Sequence, residues 1–149
     1  MKPLIVLLVV FFLGLIGSYQ IENTANPVFA GNLGMSVMLL FTALGHFKFA
    51  DGMAMMVPDF MPLKRQLVLL TGLLEIAAAI GLLIPAYRSL TSIILIIFFI
   101  VLLPANINAA VKHIDYEKAT TTGVGTSYLW FRVPLQILFI VWVYYFGVN

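Results

Sequence analysis

Five apolar stretches, separated by short polar connections, constrain this chain more than any other feature of its sequence. They cover residues 4–17, 31–47, 67–84, 90–110 and 129–146. A helix needs about 17–25 mainly apolar residues to cross a bilayer, and the last four stretches qualify once flanking residues are included. Only 9% of the residues are charged, against about 25% in soluble domains. The sequence therefore predicts an all-α integral membrane protein, a transmembrane helical bundle.

The first apolar stretch is short, and two interpretations of it stay open. It follows a single basic residue and precedes small residues such as Ala25 and Ala30, as in a cleaved signal peptide. Alternatively, it is a retained transmembrane helix that continues to about Tyr19. We therefore divide the chain into an N-terminal segment with its outer loop, residues 1–30, and a membrane domain, residues 31–149.

Lysine and arginine are distributed unevenly between the two ends of the predicted helices. If the N-terminus is cytoplasmic, only Arg88 of the basic residues in the tail and loops lies outside. The others lie inside: Lys2, Lys48, Lys64, Arg65, Lys112 and Lys118. The positive-inside rule favours this orientation, which places the C-terminus outside. We expect the protein to lie in the bacterial inner membrane.

The connection between the second and third stretches, residues 48–62, is rich in methionine and interrupted by Pro58 and Pro62. Methionine side chains adapt their shape to irregular apolar surfaces. The composition predicts a segment at the inner membrane surface. That segment either rests on the lipid headgroups or forms the edge of a ligand or partner site.

Several classes of function are excluded or disfavoured by composition. The chain has no cysteine, which excludes thiol redox chemistry, disulfides and cysteine-bound metals from this chain alone. Its net charge of +2 is not concentrated in a basic patch, so no nucleic-acid partner is predicted. No metal-ligand spacing is present, and no metal site is predicted. His46 could act as an axial haem ligand, but one histidine on a helix is weak evidence for haem.

Glu75 lies in the middle of the third apolar stretch, with no other charge between Arg65 and Arg88. An acidic residue at the centre of a bilayer costs about 2.5–3.5 kcal/mol and normally faces the bundle interior or a wet cavity. Thr71 lies four residues earlier, on the same helical face. The sequence therefore predicts a polar site inside the bundle.

Other polar residues fall in the same half of the predicted bundle. Thr42 and His46 share one face of the second stretch, and Arg132 and Gln136 share one face of the fifth. Asn106 lies near the inner end of the fourth. Each of these side chains has two open interpretations, as part of a structural network between helices or as part of a ligand or proton site.

Depth in the membrane predicts which of these residues meet. Gln136 and Glu75 both lie about 12 Å from the inner surface, at 1.5 Å per helical residue. Arg132 starts nearer the surface, but its side chain is long enough to reach inward. We expect Arg132 or Gln136 to be the partner of Glu75, with Asn106 and His46 around the same cavity.

Short motifs occur in a fixed order along residues 31–146. They are Gly45-His46-Phe47, Met56-Val57-Pro58, Phe60-Met61-Pro62, Gly72-Leu73-Leu74-Glu75, Gly81-Leu82-Leu83-Ile84-Pro85 with Arg88, Leu103-Pro104-Ala105-Asn106 with Ala109, and Arg132-Val133-Pro134-Leu135-Gln136. In this order and spacing the chain resembles the DoxX-like family of small membrane proteins. The resemblance implies a four-helix transmembrane core made of the second to fifth stretches. The first stretch would be an N-terminal helix added to that core.

The DoxX-like resemblance implies several different functions, so it bears more on fold than on activity. Some relatives are subunits of quinone-linked sulfur oxidation enzymes, and others are membrane parts of oxidoreductase complexes that handle oxidative stress. We therefore expect a non-enzymatic subunit of a membrane redox system. It would bind a quinone or a lipid, or anchor a soluble redox partner.

Two alternative functions remain. The chain could be a membrane enzyme acting on a lipid or isoprenoid, with Glu75 or His46 moving a proton. It could also be an assembly chaperone, as distant animal relatives of the DoxX-like family are, with its polar groups pairing with helices of another protein. A co-purifying quinone, haem or lipid would favour a ligand-binding function, whereas a stoichiometric protein partner would favour the chaperone.

Overall fold

The computed structural model describes residues 2–148, apart from the side chain of Glu22, and this part of the chain is all-helical. Met1 and Asn149, the outer ends of the two predicted segments, lie outside the described residues. The helices are α1 Lys2–Glu22, α2 Pro27–Lys48, α3 Ala50–Met56, α4 Lys64–Leu83, α5 Pro85–Val111 and α6 Leu129–Val143. A 3₁₀ turn, Gly125–Tyr128, precedes α6, and a π-helical turn, Tyr144–Val148, follows it.

Five helical stretches are long and apolar enough to cross a membrane. They are α1, α2, α4, α5 and the continuous stretch Gly125–Val148. Large apolar side chains such as Ile94, Ile97 and Val101 are exposed along α5. A water-soluble monomer rarely exposes so extensive an apolar surface. The arrangement is therefore compatible with an integral membrane protein of five spans, and it confirms the predicted all-α class.

Helix boundaries follow from capping residues and prolines. The side chain of Asn26 accepts a hydrogen bond of 3.0 Å from the Phe29 N–H and so caps α2. Pro27 occupies the first turn, where the missing N–H costs nothing. Pro85 begins α5 directly after α4 ends, because proline cannot continue the hydrogen bonding of the preceding helix.

The central helix of the packing is α2, which lies against both α1 and α4. Glycine permits the close approach of α1, since a Cβ on Gly34 would lie 2.9 Å from the Leu7 carbonyl oxygen. The largest hydrophobic cluster joins α1, α2, α4, α5 and α6. Its members are Leu7, Met35, Met38, Leu39, Ala78, Ala79, Leu82, Leu95, Phe99, Phe139 and Val143.

The Met-rich connection contains α3, which packs against α4 and α5. Ala50 and Val57 form a second buried cluster with Val68 of α4. The Asn108 side chain donates a 2.9 Å hydrogen bond to the Met56 carbonyl oxygen, which satisfies an otherwise free acceptor at the end of α3. This segment is therefore folded onto the bundle rather than extended away from it.

One end of the bundle carries most of the basic residues, and we call it the basic end. It comprises the start of α1, the end of α2, α3, the start of α4, the end of α5 and the start of α6. At this end Lys2 donates to Glu117 at 3.0 Å, and Asp59 pairs with Lys64 at 2.8 Å and Lys112 at 2.5 Å. Residues 112–128, which we call the covering loop, lie over this end between α5 and α6.

Candidate functional site

A first group of polar side chains, the α2–α4 group, consists of Thr42 and His46 of α2 and Thr71 and Glu75 of α4. Helical spacing of four residues places each pair on one face, and the two faces meet. Gly72 permits this contact, since a Cβ there would lie 2.9 Å from the His46 Cβ. Glu75 is 4% exposed, so the prediction that it faces the bundle interior is confirmed.

Both carboxylate oxygens of Glu75 have partners on α2. The Thr42 hydroxyl lies 2.9 Å from Oε2 and donates to it. The Nε2 atom of His46 lies 3.5 Å from Oε1. The carboxylate therefore links α2 to α4 through one hydroxyl and one imidazole.

The contacts of the other imidazole nitrogen, Nδ1, indicate which ring nitrogen of His46 carries a hydrogen. Nδ1 lies 3.1 Å from the Val68 carbonyl oxygen and 2.9 Å from the Thr71 hydroxyl, which itself donates to Val68 at 2.7 Å. Two acceptor oxygens face Nδ1, so Nδ1 carries a hydrogen. In a neutral ring Nε2 would then present a lone pair to the Glu75 carboxylate. A favourable contact between them needs one further proton, held on either Nε2 or Oε1.

A second group, the α5–α6 group, consists of Asn106 of α5 and Arg132 and Gln136 of α6. Arg132 Nη1 donates to Asn106 Oδ1, and Asn106 Nδ2 donates to Gln136 Oε1 at 3.0 Å. Gln136 Nε2 donates to the Phe99 carbonyl oxygen. The three side chains form one directed chain of hydrogen bonds from the basic end into the bundle.

The five residues singled out from the sequence thus fall into two groups rather than around one carboxylate. Among the described residues, Glu75 is bonded to Thr42 and His46, so the expected partnership with Arg132 or Gln136 was wrong. The reason is helix adjacency, because α4 packs chiefly against α2, whereas α6 packs against α5. The prediction rested on comparable depth in the membrane, and depth alone does not make two helices neighbours.

The α5–α6 group reaches a cavity of about 250 Å³ beneath the covering loop. Asn106 and Arg132 line this cavity from the bundle helices α5 and α6, and Tyr116 and Tyr128 also line it. The remaining lining residues are Met56, Ala109, Ala110, Ile114, Asp115, Glu117, Gly123, Val124 and Gly125. The Arg132 guanidinium carbon lies 5.8 Å from the Tyr116 ring centre and 5.3 Å from that of Tyr128, within the range of cation–π attraction.

The covering loop owes its shape to local hydrogen bonds. Asp115 and Thr120 form an antiparallel bridge, with backbone hydrogen bonds of 2.8 and 3.2 Å. Gly125 has a φ of 79°, a left-handed conformation in which a side chain would be strained. Burial raises the pKa of the Tyr116 phenol in this loop, so its hydroxyl keeps the hydrogen at neutral pH and can donate it.

A larger cavity of about 400 Å³ lies outside the bundle, among charged side chains of the basic end. Its lining includes Asp51, Asp59, Lys64 and Lys112. These side chains are engaged in ion pairs at the water-exposed surface. The smaller cavity resembles a ligand-binding site more closely than the larger one does, because it combines a cation, amide groups and aromatic walls at the end of the bundle.

Sequence reasoning did not identify Tyr116 or Glu117 as site residues. Both lie in a polar loop, where no periodicity predicts which side chain turns toward the bundle. Their only distinguishing signal was an aromatic residue beside an acidic one in an otherwise small and polar loop. Tyr128, which directly precedes the fifth apolar stretch, was not identified as a site residue either.

Comparisons with known proteins give a family but no activity. Searches of curated proteins and of solved structures found no match to this chain. A family model described as a domain of unknown function, DUF8561, matches residues 35–147. The matched region contains both polar groups and the cavity, and it begins within α2, so α1 lies outside it. The chain belongs to the DUF8561 family, whose function is unknown.

Proposed function

We propose that this chain is a DoxX-like integral membrane protein, a non-enzymatic subunit of a membrane redox system that binds the polar head of a quinone or lipid. The observation that carries the proposal is the cavity of about 250 Å³ beneath the covering loop. The ordered motif series supports the DoxX-like assignment, and five apolar helices support the membrane location.

The chemistry of the cavity suits the polar head of an amphiphile. Arg132, Asn106 and Tyr116 supply hydrogen-bond donors, and Tyr116 and Tyr128 supply aromatic walls. A quinone ring is flat and a lipid headgroup is compact, and both carry acceptor oxygens. The donors and aromatic walls of the cavity are suited to bind such a group. The volume accommodates a head group, while an apolar tail would extend along the exposed faces of the helices into lipid.

The bacterial inner membrane and an inside N-terminus complete the proposal. With this orientation the basic end, the cavity and the covering loop face the cytoplasm. A soluble redox partner would then dock at the covering loop, beside the bound head group.

The direct test is to identify what co-purifies. The protein is extracted in an uncharged detergent, and bound quinones and lipids are quantified by mass spectrometry. We expect near-stoichiometric recovery of one class, and a loss of about tenfold in Asn106→Leu, which removes a polar group worth about 1–3 kcal/mol at the cavity. Thr122→Ala, in the exposed part of the covering loop, should recover the same amount as the wild type.

Two results would contradict this proposal. Equal recovery from Asn106→Leu and wild type would show that the co-purifying molecule lies elsewhere. A preparation free of quinone and lipid but bound to a stoichiometric protein would favour the assembly-chaperone alternative.

A second candidate function is supported by the His46–Glu75 contact. The two titratable side chains lie 3.5 Å apart, a distance over which a proton can pass between them, which is what a proton-transferring enzyme acting on a lipid or isoprenoid needs. In that case Glu75→Gln should fold like the wild type and lose turnover. Unchanged turnover in Glu75→Gln would remove this candidate.

A further inference from the structure

Arg132 is a cation inside the bundle end without an acidic partner among the described side chains. The ion pairs of the described residues join Lys2 to Glu117, His46 to Glu75, Lys64 and Lys112 to Asp59, Arg65 to Asp51 and Lys118 to Asp115. Basic residues within membrane spans usually pair with an acidic group or with backbone carbonyl groups. The neutral amide of Asn106 therefore balances the charge of Arg132 only in part.

Two carboxylates also line the cavity, but both are engaged elsewhere. Oδ1 of Asp115 accepts the backbone N–H groups of Glu117 and Lys118 at 3.1 and 3.3 Å. Oε1 of Glu117 pairs with Lys2 at 3.0 Å. Neither acid is therefore the counter-ion that Arg132 lacks.

The guanidinium of Arg132 is held in a fixed position with donors to spare. One terminal nitrogen donates to Asn106, and the group lies near the faces of Tyr116 and Tyr128. A guanidinium has five N–H donors in a rigid fork, which matches the paired oxygens of a phosphate or carboxylate. The contacts that fix it leave N–H groups available to a ligand in the cavity.

The depth of Arg132 selects phosphate from these two anions. Arg132 is the fourth residue of α6, about 5 Å along the helix axis from its start at Leu129. From this position near the basic end, its long side chain can reach the level of the polar headgroups, where tyrosines such as Tyr116 and Tyr128 characteristically lie. Basic pockets between helix ends on the cytoplasmic side recognise phosphate-bearing lipid headgroups.

We propose that the ligand of this cavity carries a phosphate group, which the Arg132 guanidinium binds between Tyr116 and Tyr128. This inference rests on the proposed function, because it names the chemical class of the ligand of the same cavity. The phosphate belongs either to an anionic membrane lipid or to a free phosphate compound. The same chemistry serves both sources.

The test compares defined probes on the full chain in an uncharged detergent, with binding followed by native mass spectrometry. The probes are short-chain phosphatidic acid, short-chain phosphatidylglycerol, inorganic phosphate and a short-chain ubiquinone. The variants are Arg132→Gln, Arg132→Lys and, as the control, Arg65→Gln. Arg65 pairs with Asp51 at 3.1 Å outside this cavity, so the control removes the same charge from the same end of the molecule.

The expected result is phosphate-dependent binding that weakens by about tenfold or more in Arg132→Gln, since charge-assisted hydrogen bonds are the strong ones. Arg132→Lys keeps the positive charge but loses the forked arrangement of N–H donors, so its affinity should lie between those of the wild type and Arg132→Gln. Arg65→Gln should bind like the wild type. The melting temperature of Arg132→Lys verifies that its fold is intact. Binding by inorganic phosphate identifies a free phosphate compound, and binding by the lipids alone identifies a headgroup.

Three outcomes would overturn the phosphate assignment. Equal weakening in Arg65→Gln and Arg132→Gln would mean that the probes sense general surface charge. Binding of ubiquinone without any phosphate probe would overturn this inference and leave the proposed function intact. Binding of none of the probes would contradict both.

Discussion

Nε2 of His46 lies 3.5 Å from Oε1 of Glu75, across the interface between α2 and α4. The second carboxylate oxygen accepts the Thr42 hydroxyl, so one acidic side chain makes both polar contacts to α2. The side chains of Glu75 and His46 are 5% and 14% exposed. Because water reaches them poorly, losing either contact would leave a buried polar group without a hydrogen-bond partner, which lowers the stability of the fold. These two contacts, together with those of His46 Nδ1 to Val68 and Thr71, hold α2 in register with α4.

Glu75→Ala should destabilise the bundle by about 1–3 kcal/mol, because it leaves Nε2 of the largely buried His46 ring without its partner. The Thr42 hydroxyl keeps the Leu39 carbonyl oxygen as an acceptor at 3.0 Å. Glu75→Gln should cost less than Glu75→Ala. Its amide oxygen can accept from Thr42, and its NH₂ group can supply the hydrogen that Nε2 of a neutral His46 needs. Thermal unfolding in detergent, followed by circular dichroism, measures the difference.

Glu117→Gln is the matched control for this pair of variants. Glu117 is 42% exposed and pairs with Lys2 at the surface, so its loss should change the melting temperature little. Equal melting temperatures for Glu75→Ala, Glu75→Gln and wild type would mean that Glu75 does not hold α2 to α4.

Gly72→Ala should destabilise the protein by about 1–3 kcal/mol, the typical cost of overpacking a filled interface. The added Cβ would lie 2.9 Å from the His46 Cβ and 3.4 Å from the Phe47 ring, so α2 would have to move. Gly17→Ala is the control, since nothing lies within 4 Å of its added Cβ. Alanine there should be neutral or stabilise α1 by up to about 1 kcal/mol. A lower melting temperature for Gly17→Ala than for Gly72→Ala would contradict the packing.

Asp59 should titrate well below an ordinary aspartate. Its contacts with Lys112 and Lys64 lower the pKa of its carboxyl from 3.8 to about 2. Because the folded pKa is lowered, the stabilising contribution is complete above the ordinary pKa and is lost as the pH falls from about 4 towards 2. Carboxyl carbon NMR on labelled aspartate measures the midpoint directly.

Lysine variants separate the cause of the Asp59 shift from a general surface effect. Lys112→Met should move the midpoint back towards 3.8, because the Lys112 contact is the largest cause. Lys118→Met removes a charge that lies beside Asp115 instead and should leave the midpoint in place. High salt should also raise the midpoint, since exposed ion pairs are screened. An identical midpoint in the wild type, Lys112→Met and Lys118→Met would refute the assignment of the Asp59 shift to Lys112.

The proposed orientation predicts opposite locations for two reporters. A reporter fused after Asn149 should lie outside the cytoplasm, and one inserted after Lys118 should lie inside it. The helical stretch Gly125–Val148 lies between these positions and is long enough to put them on opposite sides of a membrane. The reverse pattern would invert the topology, and activity of both reporters on the same side would contradict the number of spans. N-terminal sequencing of the mature protein separately distinguishes a retained α1 from a cleaved signal peptide.

Sequence patterning located the five long helical stretches and the buried carboxylate, because both depend on local properties, but it did not predict α3. An apolar run of membrane length predicts a helix wherever it packs, and an isolated charge in such a run must turn inward. The shared helical faces of Thr42 with His46 and of Thr71 with Glu75 were also readable from spacing alone. In the structure these four residues form one group.

The partner of Glu75 could not be predicted from the sequence, because depth in the membrane does not determine which helices are neighbours. Arg132 and Gln136 were placed at a suitable level, but α6 lies against α5 and directs both side chains to Asn106 and Phe99. The cavity could not be predicted for a similar reason. It depends on the fold of the covering loop, whose Asp115–Thr120 bridge has no periodic signature.

The 3.0 Å pair between Lys2 and Glu117 joins a part of the chain outside the DUF8561 match to the loop that covers the cavity. Glu117 is itself a lining residue, so the first turn of α1 helps to set the shape of a site that belongs to the family domain. A family member lacking this lysine would need another cation for the acid at this position. For protein engineers, an N-terminal fusion partner would be a perturbation of the cavity, and a C-terminal one would be the safer choice.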